Sequence, residues 1–180
     1  HLVIRRQRQM CIRDRIQGNK LKGNNYIKDA IKNGSKIIIS NLNFEGFNKE
    51  KILFIKNKNP RKALADAASN FYKKKPKNII ALTGTNGKTS ISNFFYQILS
   101  LSKKKVAVIG TLGVLSKKIK LKTNNTTIDP IKMHQILQKL KNLRIDNVII
   151  EASSHGLKQH RLDGLNFKTA LFTNLTRDHL

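Results

Sequence analysis

The sequence predicts an α/β fold, a small N-terminal α/β domain followed by a P-loop-type, mostly parallel sheet flanked by helices. Three observations predict it. Short solid apolar runs alternate with stretches whose apolar residues recur at helical spacing, the pattern of buried strands joined by helices. A glycine-rich stretch, Gly84-Thr85-Asn86-Gly87-Lys88-Thr89, lies between one such run and one such helix, the setting of a phosphate-binding loop. The 180 residues are 39% hydrophobic, enough for a packed core, and no run of about 18 apolar residues suggests a membrane span.

The N-terminal stretch differs from the rest in composition. Residues 1–15 are rich in Arg and Gln, whereas everything after them is rich in Lys and Asn. We read this stretch as a non-native or disordered basic segment. Residues 16–75 read as a partial N-terminal domain. Tyr26, Ile27, Ala30 and Ile31 form an apolar stripe stopped by Gly34. Ile37-Ile38-Ile39 and the run Ile52 to Ile55 read as strands. Asn59-Pro60 opens a helix, with Asn as the cap and Pro at the first helical position. Its expected apolar face is Ala63, Leu64, Ala67, Ala68 and Phe71. The basic, Pro-containing segment Lys73–Asn78 is the expected domain joint.

Residues 76–180 read as a second, incomplete central domain. Asn78–Thr83 is a strand that runs into the glycine-rich loop. The helix after it carries Ile91, Phe94, Phe95, Ile98 and Leu99, expected on one inward face. Val106–Ile109 is the next strand. Pro130–Leu143 is a helix with Met133, Ile136, Leu137 and Leu140 facing inward. Val148–Ile150 and Ala170–Phe172 are further buried strands.

Charge and cysteine usage narrow the function. The net charge of +26 admits a nucleic-acid binder. Yet the lysines are spread along the chain, and the sparse aromatics do not interleave with them, so no stacking platform is visible. The reading taken here has no nucleic-acid partner. One cysteine, Cys11, allows no internal disulfide, and no secretory h-region is seen, so a cytoplasmic protein is expected. Oligomeric state is left open.

Chemistry concentrates in four places. In the Gly84–Thr89 loop, glycines let backbone N–H groups approach phosphate oxygens, Lys88 would reach the terminal phosphates, and Thr89 would hold Mg²⁺. Leu82 replaces the first glycine of the common eight-residue pattern. Glu151 ends a buried strand, where parallel sheets place ligands, and would be a second Mg²⁺ ligand. It is followed by Ser153-Ser154-His155-Gly156, Gln159 and Arg161. An adjacent Ser-His pair without an orienting acid makes a poor nucleophile, whereas Arg161 could clamp a carboxylate or phosphate. Asn125-Thr126-Thr127 precedes Asp129-Pro130, where helix capping and substrate binding are equal readings. Last, the run Phe172 to Leu180 ends a strand in Arg-Asp-His, and His179 there suits a metal ligand.

Together these segments resemble the Mur ligase family, and within it the tripeptide-forming MurE type. The resemblance implies a three-domain enzyme using ATP and Mg²⁺ to join a diamino acid to UDP-N-acetylmuramoyl-L-alanyl-D-glutamate through an acyl phosphate. The diamino acid would be meso-diaminopimelate or, as the second choice, lysine. By matching position, Gly84, Thr85, Asn86, Gly87, Lys88, Thr89 and Ser90 would bind ATP. Thr89, Glu151 and His179 would hold metal, with Lys88, Glu151 and His179 as the catalytic set. Asn125, Thr126, Thr127, Ser153, Gln159 and Arg161 would bind the UDP-muramoyl dipeptide. The family's carbamylated lysine and amino-acid-gripping domain are expected beyond Leu180, so the chain alone is expected to be inactive. The alternatives are a P-loop NTPase of another class, a folylpolyglutamate-synthase-like ligase, and a basic nucleic-acid-binding module.

Overall fold

The computed structural model describes residues 25–176. The basic segment His1–Arg15 and His179 lie outside the described residues. The chain divides into two compact units, residues 1–64 and 65–180.

In the first unit, α1 (Asn25–Lys32) is followed by β1 (Ile37–Ser40), β2 (Gly46–Phe47) and β3 (Leu53–Lys56). α1 ends as its sequence predicts. Gly34, at φ 89°, donates to the Ile31 carbonyl, and Ser35 donates to that of Ala30. This pair of bonds satisfies the last carbonyls of a helix and needs a left-handed residue at the turn. β1 and β3 run parallel, and β2 lies antiparallel on the other side of β3. Ala30, Ile38, Ile52 and Phe54 form the buried cluster, with Ile27 and Ile31 against it.

Helix α2 (Pro60–Phe71) begins where Asn59 Oδ1 accepts the Lys62 N–H at 3.2 Å. The division between the units falls inside this helix, ahead of the segment Lys73–Asn78 expected as the joint. Ala65, Ala68 and Tyr72 are buried while Phe71 is 46% exposed, so the inward face is rotated one residue from expectation.

The second unit continues with β4 (Asn78–Thr83), α3 (Lys88–Leu101), β5 (Val106–Gly110), β6 (Gly113–Ser116), β7 (Lys120–Leu121), α4 (Pro130–Asn142), β8 (Asn147–Glu151), α5 (Ser154–Lys158) and β9 (Thr169–Phe172). Its six strands lie in the order β7-β6-β5-β8-β4-β9. β5, β8, β4 and β9 are parallel, while β6 and β7 extend the sheet antiparallel. The alternation of side chains along a strand sorts the apolar runs onto two faces. Ile79, Ala107, Ile109, Val148 and Ile150 point to one face, where Met133, Leu137 and Leu140 of α4 cover them. Leu82, Val108 and Ile149 point to the other, against Phe95 and Tyr96 of α3. Burial of each large apolar side chain contributes about 1.5–3 kcal/mol, from the central strands and from the helix residues that cover them alike.

The sequence misplaces part of the face of α3. Ile91, Phe94 and Ile98, expected inward, are exposed, while Phe95 packs on the sheet as expected, beside Tyr96. The first turn sets this rotation. Thr89 and Ser92 face the carboxylate of Glu151, and residues one turn further along that side are Phe95 and Tyr96, not Phe94 and Ile98.

Candidate functional site

The carboxyl ends of β4, β5, β8 and β9 bring four loops to one edge of the sheet, where parallel sheets present their ligand-binding groups. After β4 comes the glycine-rich loop. Its Gly87, at φ 83°, is the N-cap of α3, and no side chain caps the helix. Among the described residues, the N–H groups of Lys88 and Thr89 have no partner. Unpaired N–H groups and the positive end of a 14-residue helix make an anion site.

The loop is braced by the segment after β9. Thr85 N–H donates to the Asn174 carbonyl at 3.0 Å, Asn86 N–H donates to Asn174 Oδ1 at 3.0 Å, and Thr173 Oγ1 donates to the Asn86 carbonyl at 2.7 Å. Thr85 Oγ1 and the backbone of Thr176 are bonded as well. Gly84 has φ 131°, and a Cβ there would lie 2.1 Å from Thr173 Oγ1, so only glycine fits between loop and brace. The Lys88 ammonium turns back onto the Gly84 and Thr85 carbonyls, at 2.5 and 2.7 Å. Ser90 stands exposed in the first turn of α3.

Glu151 has the same strand parity as Ile149, so it projects toward α3 at the end of β8. It is 1% exposed. Its Oε1 accepts from Ser92 Oγ at 2.9 Å, and its Oε2 accepts from Thr89 Oγ1 at 3.0 Å and Thr111 Oγ1 at 2.9 Å. A Cβ on Gly110 would fall 2.2 Å from Oε1, so the end of β5 must be glycine for the carboxylate to fit. Among the described residues no Lys, Arg or His forms an ion pair with Glu151. A buried carboxylate whose partners are hydroxyls alone is a hard oxygen donor that suits a cation. No group of three or more His, Cys, Asp or Glu side chains forms a metal cage among the described residues. The Glu151 carboxylate with the Thr89 hydroxyl fits a hard cation that would complete its shell with water and phosphate oxygens.

The Asn125–Thr127 loop reaches the same edge. Thr127 is buried, and its hydroxyl donates to the Glu151 carbonyl at 2.9 Å, accepts the Ser153 N–H at 2.9 Å and lies 3.1 Å from Ser153 Oγ. Arg161 donates to the Thr127 carbonyl at 2.5 Å and, through Nε and Nη2, to Gln159 Oε1. Here the guanidinium holds the loop in shape. Asp129 caps α4, accepting the Lys132 N–H at 3.0 Å, and Ser153 caps α5, accepting the Gly156 N–H at 3.1 Å. The exposed Asn125 lines a groove of about 430 Å³ with Lys122, Lys132 and Lys139.

The described parts of the four segments singled out in the sequence therefore meet at one edge of the sheet; His179 lies outside the described residues. Sequence reading missed Ser92, Gly110 and Thr111 around Glu151, and Thr173 and Asn174 as the brace. A glycine closing a buried strand was the one available signal, at Gly110. Among the described residues, no helix is long and apolar enough to cross a membrane.

Comparison with known proteins gives a consistent answer. A family model described as the Mur ligase middle domain matches residues 82–180. The UDP-N-acetylmuramoyl-L-alanyl-D-glutamate–2,6-diaminopimelate ligase of Rhizobium meliloti (strain 1021) is 39% identical over 165 residues, 92% of this chain and 34% of that protein. The protein of the same name from Clostridium tetani is 39% identical over 168 residues, 92% of this chain and 35% of that one. The chain thus spans about a third of the length of the curated relatives it matches. A solved structure of a UDP-N-acetylmuramoyl-L-alanyl-D-glutamate–2,6-diaminopimelate ligase is similar at a TM-score of 0.71 and 31% identity, over 87% of this chain and 31% of that one. A MurF ligase from Thermotoga maritima, solved in complex with ADP, shares the fold at a TM-score of 0.54 and 19% identity, over 88% of this chain and 33% of that one.

Proposed function

Because the chain belongs to the Mur ligase family, we propose that it forms the nucleotide-binding part of an ATP-dependent ligase of peptidoglycan precursor synthesis. The proposed reaction joins meso-diaminopimelate, or lysine, to UDP-N-acetylmuramoyl-L-alanyl-D-glutamate. ATP would phosphorylate the terminal carboxylate, and the incoming amine would displace phosphate from the acyl phosphate. Residues 16–75 and 76–180 would be parts of its N-terminal and central domains, and the cytoplasm its compartment.

The observation that carries this reading is the uncapped start of α3 facing the buried Glu151, which has no ion-pair partner among the described residues. The N–H groups of Lys88 and Thr89 would hold phosphate oxygens, and Lys88 would leave the Gly84 and Thr85 carbonyls to meet the terminal phosphates. Thr89 Oγ1 and Glu151 Oε2 would hold Mg²⁺, which when bound would offset charge on the transferring phosphoryl group. His179 would extend the metal set. Asn125 and the lysine-lined groove suit an anionic substrate. Thr126, Ser153 and Gln159 would bind the same substrate, while Thr127 and Arg161 would act by fixing the loop that presents it.

The test is a titration of Mg²⁺·ATP into the chain and into Lys88→Ala, with folding monitored in parallel. Wild type should bind, and the folded variant should lose at least about tenfold in affinity, the scale of one charge-assisted phosphate contact. Unchanged affinity in the folded variant would remove the nucleotide from this loop.

A further inference from the structure

Thr111 is neither a nucleotide nor a substrate contact, yet it occupies the junction between the two halves of the site. It sits in the two-residue turn between β5 and β6, at the exposed rim. Its Oγ1 lies 2.9 Å from Glu151 Oε2 and 3.1 Å from Thr126 Oγ1. A hydroxyl carries one proton. With that proton donated to the carboxylate, Thr111 can only accept from Thr126, and the Thr126 proton is held inward.

The geometry points to Thr111 as a one-proton relay that reports cation binding at Glu151 to the Asn125–Thr127 loop. Glu151 Oε2, were it to hold a cation, would attract the Thr111 proton less strongly. Thr111 can then rotate and donate to Thr126. The Thr126 proton is thereby released outward, free to be donated to an anionic group of the substrate. No proton leaves its oxygen, as only two hydroxyls turn. Two neighbouring bonds keep the movement local. Ser92 anchors Oε1 at 2.9 Å, so the carboxylate keeps its orientation. Thr127 is fixed to the Glu151 carbonyl, so the backbone of the loop stays in place while the Thr126 hydroxyl reorients. The relay therefore biases a two-state rotor, the physical requirement for coupling between sites. It would make a nucleotide-loaded enzyme the better binder of the muramoyl substrate. Thr111 is a positioning residue, since it acts through Glu151 and Thr126.

This inference rests on the nucleotide–metal reading of the Glu151 site, and the experiment separates the two. The 180-residue chain is labelled with ¹³C at threonine methyl groups and observed by NMR at saturating ATP, with Mg²⁺ or with a chelator. In wild type, the Thr126 methyl signal should shift with Mg²⁺·ATP and stay in place with metal-free ATP. In Thr111→Val the Thr126 response should be lost while the Thr89 signal still moves. Thr111→Ser, which keeps the hydroxyl, should restore it. The Thr83 and Thr169 signals, in β4 and β9, report whether each variant is folded. Should Thr111→Val not fold, Thr111→Ala takes its place, and the Mg²⁺-dependence in wild type still decides. A Thr126 shift that persists without the hydroxyl at position 111 overturns the relay. So does a wild-type Thr126 signal that is still while Thr89 moves. If neither signal moves, the nucleotide–metal reading falls and the relay with it.

Discussion

Lone residues divide into those whose role shows in the chain and those whose role appears only in space. Lys88 and Glu151 are legible, because a Gly-Lys-Thr after a strand and an acid at a strand end are local patterns. Ser92 and Thr111 are not. Each is an ordinary hydroxyl residue until the sheet order places β8 between β4 and β5 and brings Glu151 to both. His134 is a third kind, buried on α4 with no site role. It is fully buried, its Nε2 lies 3.1 Å from the Asp163 carbonyl, and its Nδ1 has no partner among the described residues. Burial, aided by the Lys75 charge, lowers its pKa to about 4, against weaker opposing effects of the Asp163 carbonyl and Asp66. An unfolded histidine titrates near 6.5, so between these values the unfolded chain binds a proton that the folded chain does not. Stability therefore falls as pH falls from about 6.5 to 4, by up to about 3 kcal/mol from this residue. Urea midpoints of wild type and His134→Gln across that range should show a shallower acid loss in the variant. Parallel curves would mean that the ring is hydrated.

Elements were read best where periodicity is strong and worst where a site overrides it. β4 runs over Asn78–Thr83 as expected, and α4 begins at Pro130 under its Asp129 cap. The hairpin β5–β6 was not anticipated, because its turn is Thr111-Leu112, without the Asn-Gly or Asp-Gly pair that marks tight hairpins. Ile91, Phe94 and Ile98 are exposed although their spacing predicts core, because periodicity does not say which of two apolar faces turns inward. Helix ends give a quantitative case. α4 closes with Arg144 N–H on the Lys141 carbonyl and Ile145 N–H on that of Leu140, the same arrangement that Gly34 makes after α1. Here the left-handed position belongs to Arg144, at φ 59°. A non-glycine residue in that conformation costs about 1 kcal/mol, so Arg144→Gly should stabilise the chain by roughly that amount. A calorimetric or denaturant midpoint checks it, and a lowered midpoint would show that the arginine side chain contributes more than its backbone strain costs.

For the whole molecule, α/β class and the separation into two sheets followed from the alternation of runs, while strand order did not, because neighbours β4, β8 and β9 are far apart in sequence. The net charge of +26 leaves a question that only the complete electrostatic behaviour answers: whether phosphate is held at one site or over the whole surface. A diffuse polycation binds nucleic acid by releasing condensed counterions, and log K falls with log salt by about 0.9 for each phosphate neutralised. Over six or more contacts this removes about three orders of magnitude of affinity between about 50 and 200 mM salt. A focused site behaves otherwise. ATP carries few phosphates, and part of its affinity here would come from oriented N–H groups and a cation at Thr89 and Glu151, which salt screens little. Mg²⁺·ATP affinity should therefore fall less than about tenfold over that salt range and depend on Lys88 at every salt concentration. Any oligonucleotide binding should fall steeply over the same range and be indifferent to Lys88→Ala, one lysine or arginine among 36. Measuring both ligands on both proteins at both salts gives a clear decision. If ATP follows the oligonucleotide slope and survives Lys88→Ala, the charge is the binding site, and the arrangement around Glu151 holds no nucleotide.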